Sequence, residues 1–463
     1  AAQAVVDAIH AQFSGTAIER ITIAWHNGNG LRLRTFMPGP DGLLSNRVLH
    51  DIHPDYARRF ELHRLNAFEL EPIDTPAPVH AFYARATENP RDERILVYTG
   101  VREIPDTADA ADDPDALWEL ERAYFEGIRV LRQAQVSRSS RNRFHWNRLT
   151  IYVRRPLQIS MAAMSRICER LEAPTRGLGL EKVVVRCRMI MPEGDGRPVE
   201  RAIVVSIPGR HRLQLTVHAP TDRPVRAMSD YALKVVRARR LGMVYPYELI
   251  RMLTGAGGGA PMHPDLGSGR FIEHELEEPQ SLRLVPIDRD YGNNPSAVVV
   301  GVLENRTAKH PEGIRRVLIA ADPTRAMCAL SEPECRRIIG ALDLAKRLQL
   351  PVEWVAISAG AKIAMDSGTE NLDWTARVLK GLVQFTQGGG VVHVIVCGVN
   401  VGAQSYWNAE ATMLMHTRGL LIMTADGSLV LTGKKALEYS GSVAAEDERG
   451  IGGFERVMGP NGQ

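Results

Sequence analysis

The chain has 463 residues, 44% of them hydrophobic and 24% charged, with a formal net charge of +3. These proportions suit a folded protein of two or three domains, and so mild a charge neither demands nor excludes an anionic partner. No apolar run approaches the roughly 18 residues that span a bilayer, and AAQAVVDAIHAQF (1–13) has no basic segment ahead of an apolar core. Neither a membrane anchor nor a signal peptide is expected, so the cytoplasm is the expected location. Because the sequence does not begin with Met, a piece of a longer polypeptide is expected. The five cysteines (Cys168, Cys187, Cys328, Cys335, Cys397) are scattered and form no C-x-x-C pair. They read as buried thiols, not as a disulfide framework or a zinc ribbon.

Residues 1–240 read as mixed α and β. A strand is predicted over 20–25, then the turn HNGNG (26–30) and the returning strand LRLRTF (31–36) of a hairpin. A helix is predicted over 116–134, where Leu117, Leu120, Tyr124, Ile128 and Leu131 follow the helical repeat. Strands follow at 149–153, 182–190 and 201–207, β-branched or alternating as strands are. The Gly-rich stretch TGAGGGAPMHPDLGSGR (254–270) lacks a GxxxxGK[ST] pattern and reads as a mobile linker, not a phosphate loop.

Beyond it the pattern is regular. A short strand (315–321) precedes SEPE (331–334), a capping box whose helix carries Ile338, Leu342, Ala345 and Leu348 on one stripe. Next come a strand (351–357), a small-residue turn, a helix (373–385), a strand (391–397), the turn GVNVGAQ (398–404) and another helix. Two short strands are expected within 419–433. Each buried strand ends in a small-residue turn and hands over to a helix, which predicts a layered α/β unit with parallel strands.

Two of these turns carry the chemistry that the spacing allows. Ala359-Gly360-Ala361 and Asn400-Val401-Gly402-Ala403 follow neighbouring strands and precede helices, so each offers backbone N–H groups at a positive helix end. Such donors suit an oxyanion, and small side chains let a substrate reach the backbone. The alternative is that Gly and Ala there only permit tight strand–helix packing. No GxSxG, HExxH or paired-carboxylate motif is present. His393 reads as a core histidine, and Asp366, Glu410 and Glu446-Asp447-Glu448 as surface acids. The segment 132–156 holds seven arginines interleaved with Phe144, His145, Trp146 and Tyr152. That pattern can bind nucleic acid, but with acidic stretches upstream it reads as a solvated loop or domain contact, as does RARR (237–240).

The turns also carry a family likeness. LPVEWVAISAGAKIA (350–364) resembles the SANSGARIG and NDSGGARIQ segments of biotin-dependent carboxyltransferases, and CGVNVGAQSYW (397–407) is similar to their second glycine turn. LVLTGKKALEYSGSVAAEDERGIGG (429–453) resembles the element that closes the N-terminal half of the carboxyltransferase, and DPTRAMCALSEPE (322–334) stands where that family starts a helix. Upstream, 43–73 and MVYPYELIRML (243–253) resemble stretches of the eukaryotic-type, single-chain acetyl-CoA carboxylases, from the central region and the start of the carboxyltransferase.

This resemblance implies a central non-catalytic α+β scaffold over 1–240 and a crotonase-like β-β-α spiral, the N-terminal carboxyltransferase subdomain, over 241–463. It implies a biotin-dependent acyl-CoA carboxylase, a ligase of fatty acid biosynthesis and lipid metabolism, that moves CO2 from carboxybiotin to the α-carbon of acetyl-CoA or another acyl-CoA. The implied oxyanion hole is the backbone of Ala361, Val401 and Gly402. The acyl-CoA is expected against Gly360, Lys362, Asn400, Ala403, Gly433, Gly452 and Gly453. Biotin would come on another domain or chain, and no metal is expected in this region. Expected partners are the ATP-binding biotin carboxylase domain, the biotin carrier and a second carboxyltransferase half from the same or another protomer, in a homo-oligomer without nucleic acid or membrane. The sequence departs from the family at Lys362 and Gly398, where arginine is usual, and has no biotin-accepting Met-Lys-Met. The other readings are a different crotonase-type enzyme (a hydratase or decarboxylase with a carboxylate base) and a non-catalytic scaffold or nucleic-acid-binding module.

Overall fold

The computed structural model describes residues 2–12, 20–26, 28, 31–39, 42–49, 51–52, 54, 60–76, 78–101, 114–138, 144–171, 175, 177–190, 197–206, 214–221, 223–255, 267–365, 370–441 and 447–462. The chain forms two compact units, Ala1–Asp230 and Tyr231–Gln463. The change falls ten residues before the sequence-based boundary, because helix Asp230–Arg240 buries Ala238 in a core of the second unit.

The first unit opens with helix α1 (Ala2–Gln12) and a three-stranded antiparallel sheet of β1 (Ile21–His26), β2 (Leu31–Gly39) and β3 (Gly42–Ser45). The predicted hairpin is its first pair. Then come β4 (Phe68–Ile73), β5 (His80–Ala86), β6 (Glu93–Val101), helix α2 (Pro114–Ser137), β7 (Asn147–Leu157), helix α3 (Met161–Leu171), β8 (Leu180–Ile190), β9 (Pro198–Ser206) and β10 (Gln214–His218). These seven strands form one sheet in the order β10-β9-β8-β7-β6-β5-β4, with β6, β7 and β8 parallel. Leu120, Tyr124, Ile128 and Leu131 of α2 bury against Leu149, Ile151, Val183 and Val185, as the helical spacing requires, whereas Leu117 is only half-buried. The arginine-rich segment spans the end of α2 and strand β7, with residues 139–143 outside the described residues. Arg132 lies within α2, which runs to Ser137, Arg138 stacks 3.8 Å over the Tyr83 ring, and Arg148 lies on β7 paired with Glu181.

The second unit begins with α4 (Asp230–Arg240) and α5 (Pro246–Thr254). RARR is the last turn of α4, where cations face the negative end of the helix. The proposed linker 254–270 joins α5 to β11 (Ser268–Leu276), both in this unit, so it does not separate the units; residues 256–266 lie outside the described residues. Then follow β12 (Leu284–Pro286), β13 (Val298–Arg306), β14 (Ile314–Ala321), α6 (Glu332–Leu348), β15 (Val352–Ser358), α7 (Glu370–Gln387), β16 (Val392–Val401), α8 (Ala403–Thr412), β17 (Leu421–Met423), β18 (Ser428–Val430), α9 (Lys434–Tyr439) and α10 (Glu448–Gly452). The eight strands run β12-β11-β13-β14-β15-β16-β17, with β18 also on β16.

Strands β14 to β18 pair in parallel, with α6, α7 and α8 as the intervening crossovers, which is the predicted α/β layering. The first strands, β11 to β14, are antiparallel neighbours, so the sheet is mixed. Ile338, Leu342 and Ala345 of α6 enter the core, but Leu348 is 41% exposed because the helix ends there. Trp354 and Trp407 pack on each other with ring centroids 5.9 Å apart. On the opposite sheet face Val299, Leu318 and Val355 meet Tyr245, Tyr247 and Ile250. Both faces are therefore covered, as a parallel sheet requires.

Candidate active site

Strands β15 and β16 end side by side, with Ser358 in register with Asn400. The first turn leaves the sheet at once. Ser358 is fully buried; its Oγ donates to the Cys328 carbonyl (2.9 Å) and accepts from the Gly360 N–H (3.0 Å). The Ala359 N–H donates to Met327 O (2.9 Å), and the Lys362 N–H to Leu330 O (2.7 Å), while Gly360 O accepts from the Leu330 N–H (2.8 Å). Among the described residues only the Ala361 N–H of this turn lacks an acceptor. Gly360 has φ 90°, open to glycine at no steric cost. A Cβ there would lie 3.3 Å from the Val401 carbonyl oxygen, so the two turns are in contact.

The second turn is shorter than the sequence suggested, because β16 runs on through Asn400 and Val401. Val401 closes that strand in register with Val430, and the Gly402 N–H donates to Val430 O at 3.0 Å. Gly402 is thus committed to the sheet and is not a free donor. Its part is conformational: φ 58° and ψ −120° are effectively restricted to glycine, and they swing the chain into α8. The Gly402 carbonyl takes the N–H groups of Ser405 (3.0 Å) and Tyr406 (3.2 Å), which leaves those of Ala403 and Gln404 without an acceptor among the described residues. The helix rule that its first N–H groups have no internal partner could have located them one residue on from the expected donor.

Asn400 does not present its side chain to a ligand. It is fully buried, donates to Ala356 O (3.0 Å) and Gly398 O (3.1 Å), and accepts from the Asn408 amide (3.0 Å). Asn408 in turn accepts from Gln404 (2.8 Å), and Ser405 Oγ donates to Asn400 O (2.8 Å) and Val430 O (3.0 Å). This network fixes the start of α8 against the end of β16. Lys362 is half-buried beside Ile363, which is fully exposed. Gly433 caps α9 with open space around it, whereas Gly452 and Gly453 pack backbone to backbone. A Cβ at Gly452 would sit 1.9 Å from Leu429 O, and one at Gly453 2.4 Å from Arg449 O. An arginine at Gly398 would have to displace the Met243 side chain, since a Cβ would lie 2.5 Å from Met243 Cε.

The segment behind the first turn lies in the stretch 322–334, noted in the sequence for its likeness alone and not for its backbone. Ala326, Met327 and Cys328 have consecutive positive φ angles of 47°, 55° and 52°. Such non-glycine conformations cost on the order of 1–3 kcal/mol each and gather at working sites. Here they aim two carbonyls, Met327 O and Cys328 O, at the Ala359 N–H and the Ser358 hydroxyl. His393 is not in the core: it lies on the half-buried row of β16, and its Nδ1 accepts the Leu420 N–H at 3.2 Å. Glu410 stands seven residues along α8, roughly 10 Å from its free N–H groups. Asp447 caps α10 through the Gly450 N–H (3.0 Å); Asp366 and Glu446 lie outside the described residues. No group of three metal-ligating side chains occurs among the described residues, and no helix of the described residues is long and apolar enough to cross a membrane.

Fold and site together define a mixed α/β protein whose candidate site is made of backbone donors, not of a side-chain triad. Residues 1–199 match the family described as "Acetyl-CoA carboxylase, central region". The acetyl-CoA carboxylase of Saccharomyces cerevisiae is 20% identical over 390 residues, 78% of this chain and 17% of that protein. Two solved structures are similar. The central domain of yeast acetyl-CoA carboxylase is 18% identical, with TM-score 0.38, over 49% of this chain and 36% of that one. The beta subunit of P. aeruginosa geranyl-CoA carboxylase is 15% identical, with TM-score 0.35, over 49% and 37%. The match to that family model is thus confined to residues 1–199, while the likeness to the yeast protein runs over 78% of the chain. The chain spans 17% of the length of that yeast relative.

Proposed function

We propose that residues 231–463 form the acyl-CoA half of a carboxyltransferase site, and that residues 1–230 are its non-catalytic companion. The supporting observation is the selective freedom of the Ala361 N–H, in a turn that touches the second turn while its neighbours are all bonded. With the Ala403 N–H it would hold the thioester oxygen as negative charge grows on it during loss of the α-proton, each donor worth about 3 kcal/mol. The bare Gly360 and Gly402 let the acyl group approach the backbone, and Asn400 acts through α8 as a positioning residue. Carboxybiotin, carried on another domain or chain, supplies the activated CO2 when bound. Biotin carboxylase, the carrier and a second carboxyltransferase half complete the enzyme in a cytoplasmic homo-oligomer. A hydratase or decarboxylase would need a carboxylate base beside these donors, and of its two candidates, Asp366 and Glu410, the latter stands roughly 10 Å along α8 from the free N–H groups.

The test is CO2 incorporation by the full-length protein from a carboxybiotin donor into acyl-CoAs of graded chain length. Transfer to none of them overturns the proposal. Ala361→Pro deletes the one free N–H of the first turn, and a loss of about 100-fold in kcat is expected, with Ala361→Gly near normal.

A further inference from the structure

The seven-stranded sheet of the first unit has two faces of opposite chemistry. Along β8, Val183, Val185 and Cys187 enter the core beneath α2, so the two-residue period of a strand turns Lys182, Val184 and Arg186 to the other side. On β7, Leu149 and Ile151 point inward while Arg148 and Thr150 join that second face. Arg148 is in register with Lys182, and Thr150 with Tyr98 of β6. These groups line a cavity of about 390 Å³, bounded further by Glu61 and Arg64 from the segment ahead of β4. Its size is that of a small-molecule pocket.

The charges do not balance. Glu61 is bonded to Arg64 and Arg186, and Glu181 to Arg148 and, at 3.3 Å, to Lys182. Four cations, none more than 27% exposed, share two carboxylates. Glu61 itself is held at φ 54° and ψ 38°, a left-handed conformation unusual outside glycine. An independent observation comes from Tyr98. It is 6% exposed and lines the cavity beside Arg148, Glu61 and Arg64, and burial raises its pKa well above the ordinary value, so its hydroxyl keeps its proton and can donate.

We infer that this cavity binds a small phosphate monoester dianion. Its oxygens would take charge-assisted hydrogen bonds from Arg148, Lys182 and Arg186 and a neutral one from Tyr98, and its two negative charges would match the two unbalanced cations. The site lies within the first unit, so it stands or falls apart from the carboxyltransferase reading.

The experiment is calorimetric titration of the chain with inorganic phosphate, at ionic strength matched with chloride, on the parent, Lys182→Gln, Tyr98→Phe and Ala202→Leu, which fills the cavity. The expected result is saturable one-to-one binding, weakened about tenfold by Lys182→Gln and about threefold by Tyr98→Phe. Tyr98→Phe keeps the packing, so it reads binding even where the charge variant perturbs the fold. No saturable heat up to about 10 mM phosphate, or affinity unchanged in Tyr98→Phe and Ala202→Leu alike, overturns the inference.

Discussion

Single atoms decide the reading of the first turn. Of the N–H groups of Ala359, Gly360, Ala361 and Lys362, three are bonded to fixed acceptors and one is not. That free donor was legible in the sequence as a position, because a glycine-alanine turn after a buried strand exposes backbone. The second expected donor, the Gly402 N–H, is bonded, since nothing in GVNVGA reveals that it pairs with Val430. Residue-scale burial also sets thiol chemistry. Burial pushes the Cys187 and Cys335 thiols up to about 12 and Cys397 up to about 11, and raises Cys328 well above its ordinary value. At pH 8 a thiol near 11 is ionised to about one part in a thousand. Alkylation with iodoacetamide at that pH, read by mass spectrometry, should leave these four unlabelled in the folded chain and labelled in denaturant. Rapid native labelling of Cys328 or Cys335 would contradict the packing.

At the scale of elements, the capping box illustrates how local code and tertiary structure meet. SEPE predicted that Glu334 reaches back to Ser331, and it does, accepting from its N–H (3.2 Å) and hydroxyl (2.6 Å). Its other oxygen accepts from the Ser296 hydroxyl (2.9 Å) and the Ala297 N–H (3.2 Å), which ties α6 to the start of β13. Only the first half was written in the local sequence; the second joins positions 37 and 38 residues apart. Glu334→Ala should therefore cost the second unit about 3 kcal/mol, and Glu334→Gln clearly less, because the alanine leaves buried donors without acceptors. Urea unfolding of the variants checks this. The same divide explains the rest of the fold. Helices with a continuous apolar stripe and β-branched strands were legible, whereas the antiparallel pairing of β11 through β14 and the cavity face of β6 to β8 depend on long-range register.

At the scale of the whole molecule, each unit has cores of its own. Leu131, Leu149 and Ile151 belong to the first, and Val317, Trp354 and Val394 to the second. Separate cores predict separate cooperative transitions. Scanning calorimetry of the chain is expected to show two endotherms, or one whose calorimetric enthalpy exceeds the van't Hoff value, and Glu334→Ala should lower only one of them. A single two-state transition would show that the units unfold as one. The row of cations on β7 and β8 has a consequence for how the first unit is assembled. If β8 slid by one residue against β7, Lys182 and Arg186 would swing under α2 while Val183 and Val185 faced the cavity. Each cation buried without a partner would cost several kcal/mol. The charged row therefore works as a proofreader of strand alignment, rejecting misthreaded chains before any ligand is met.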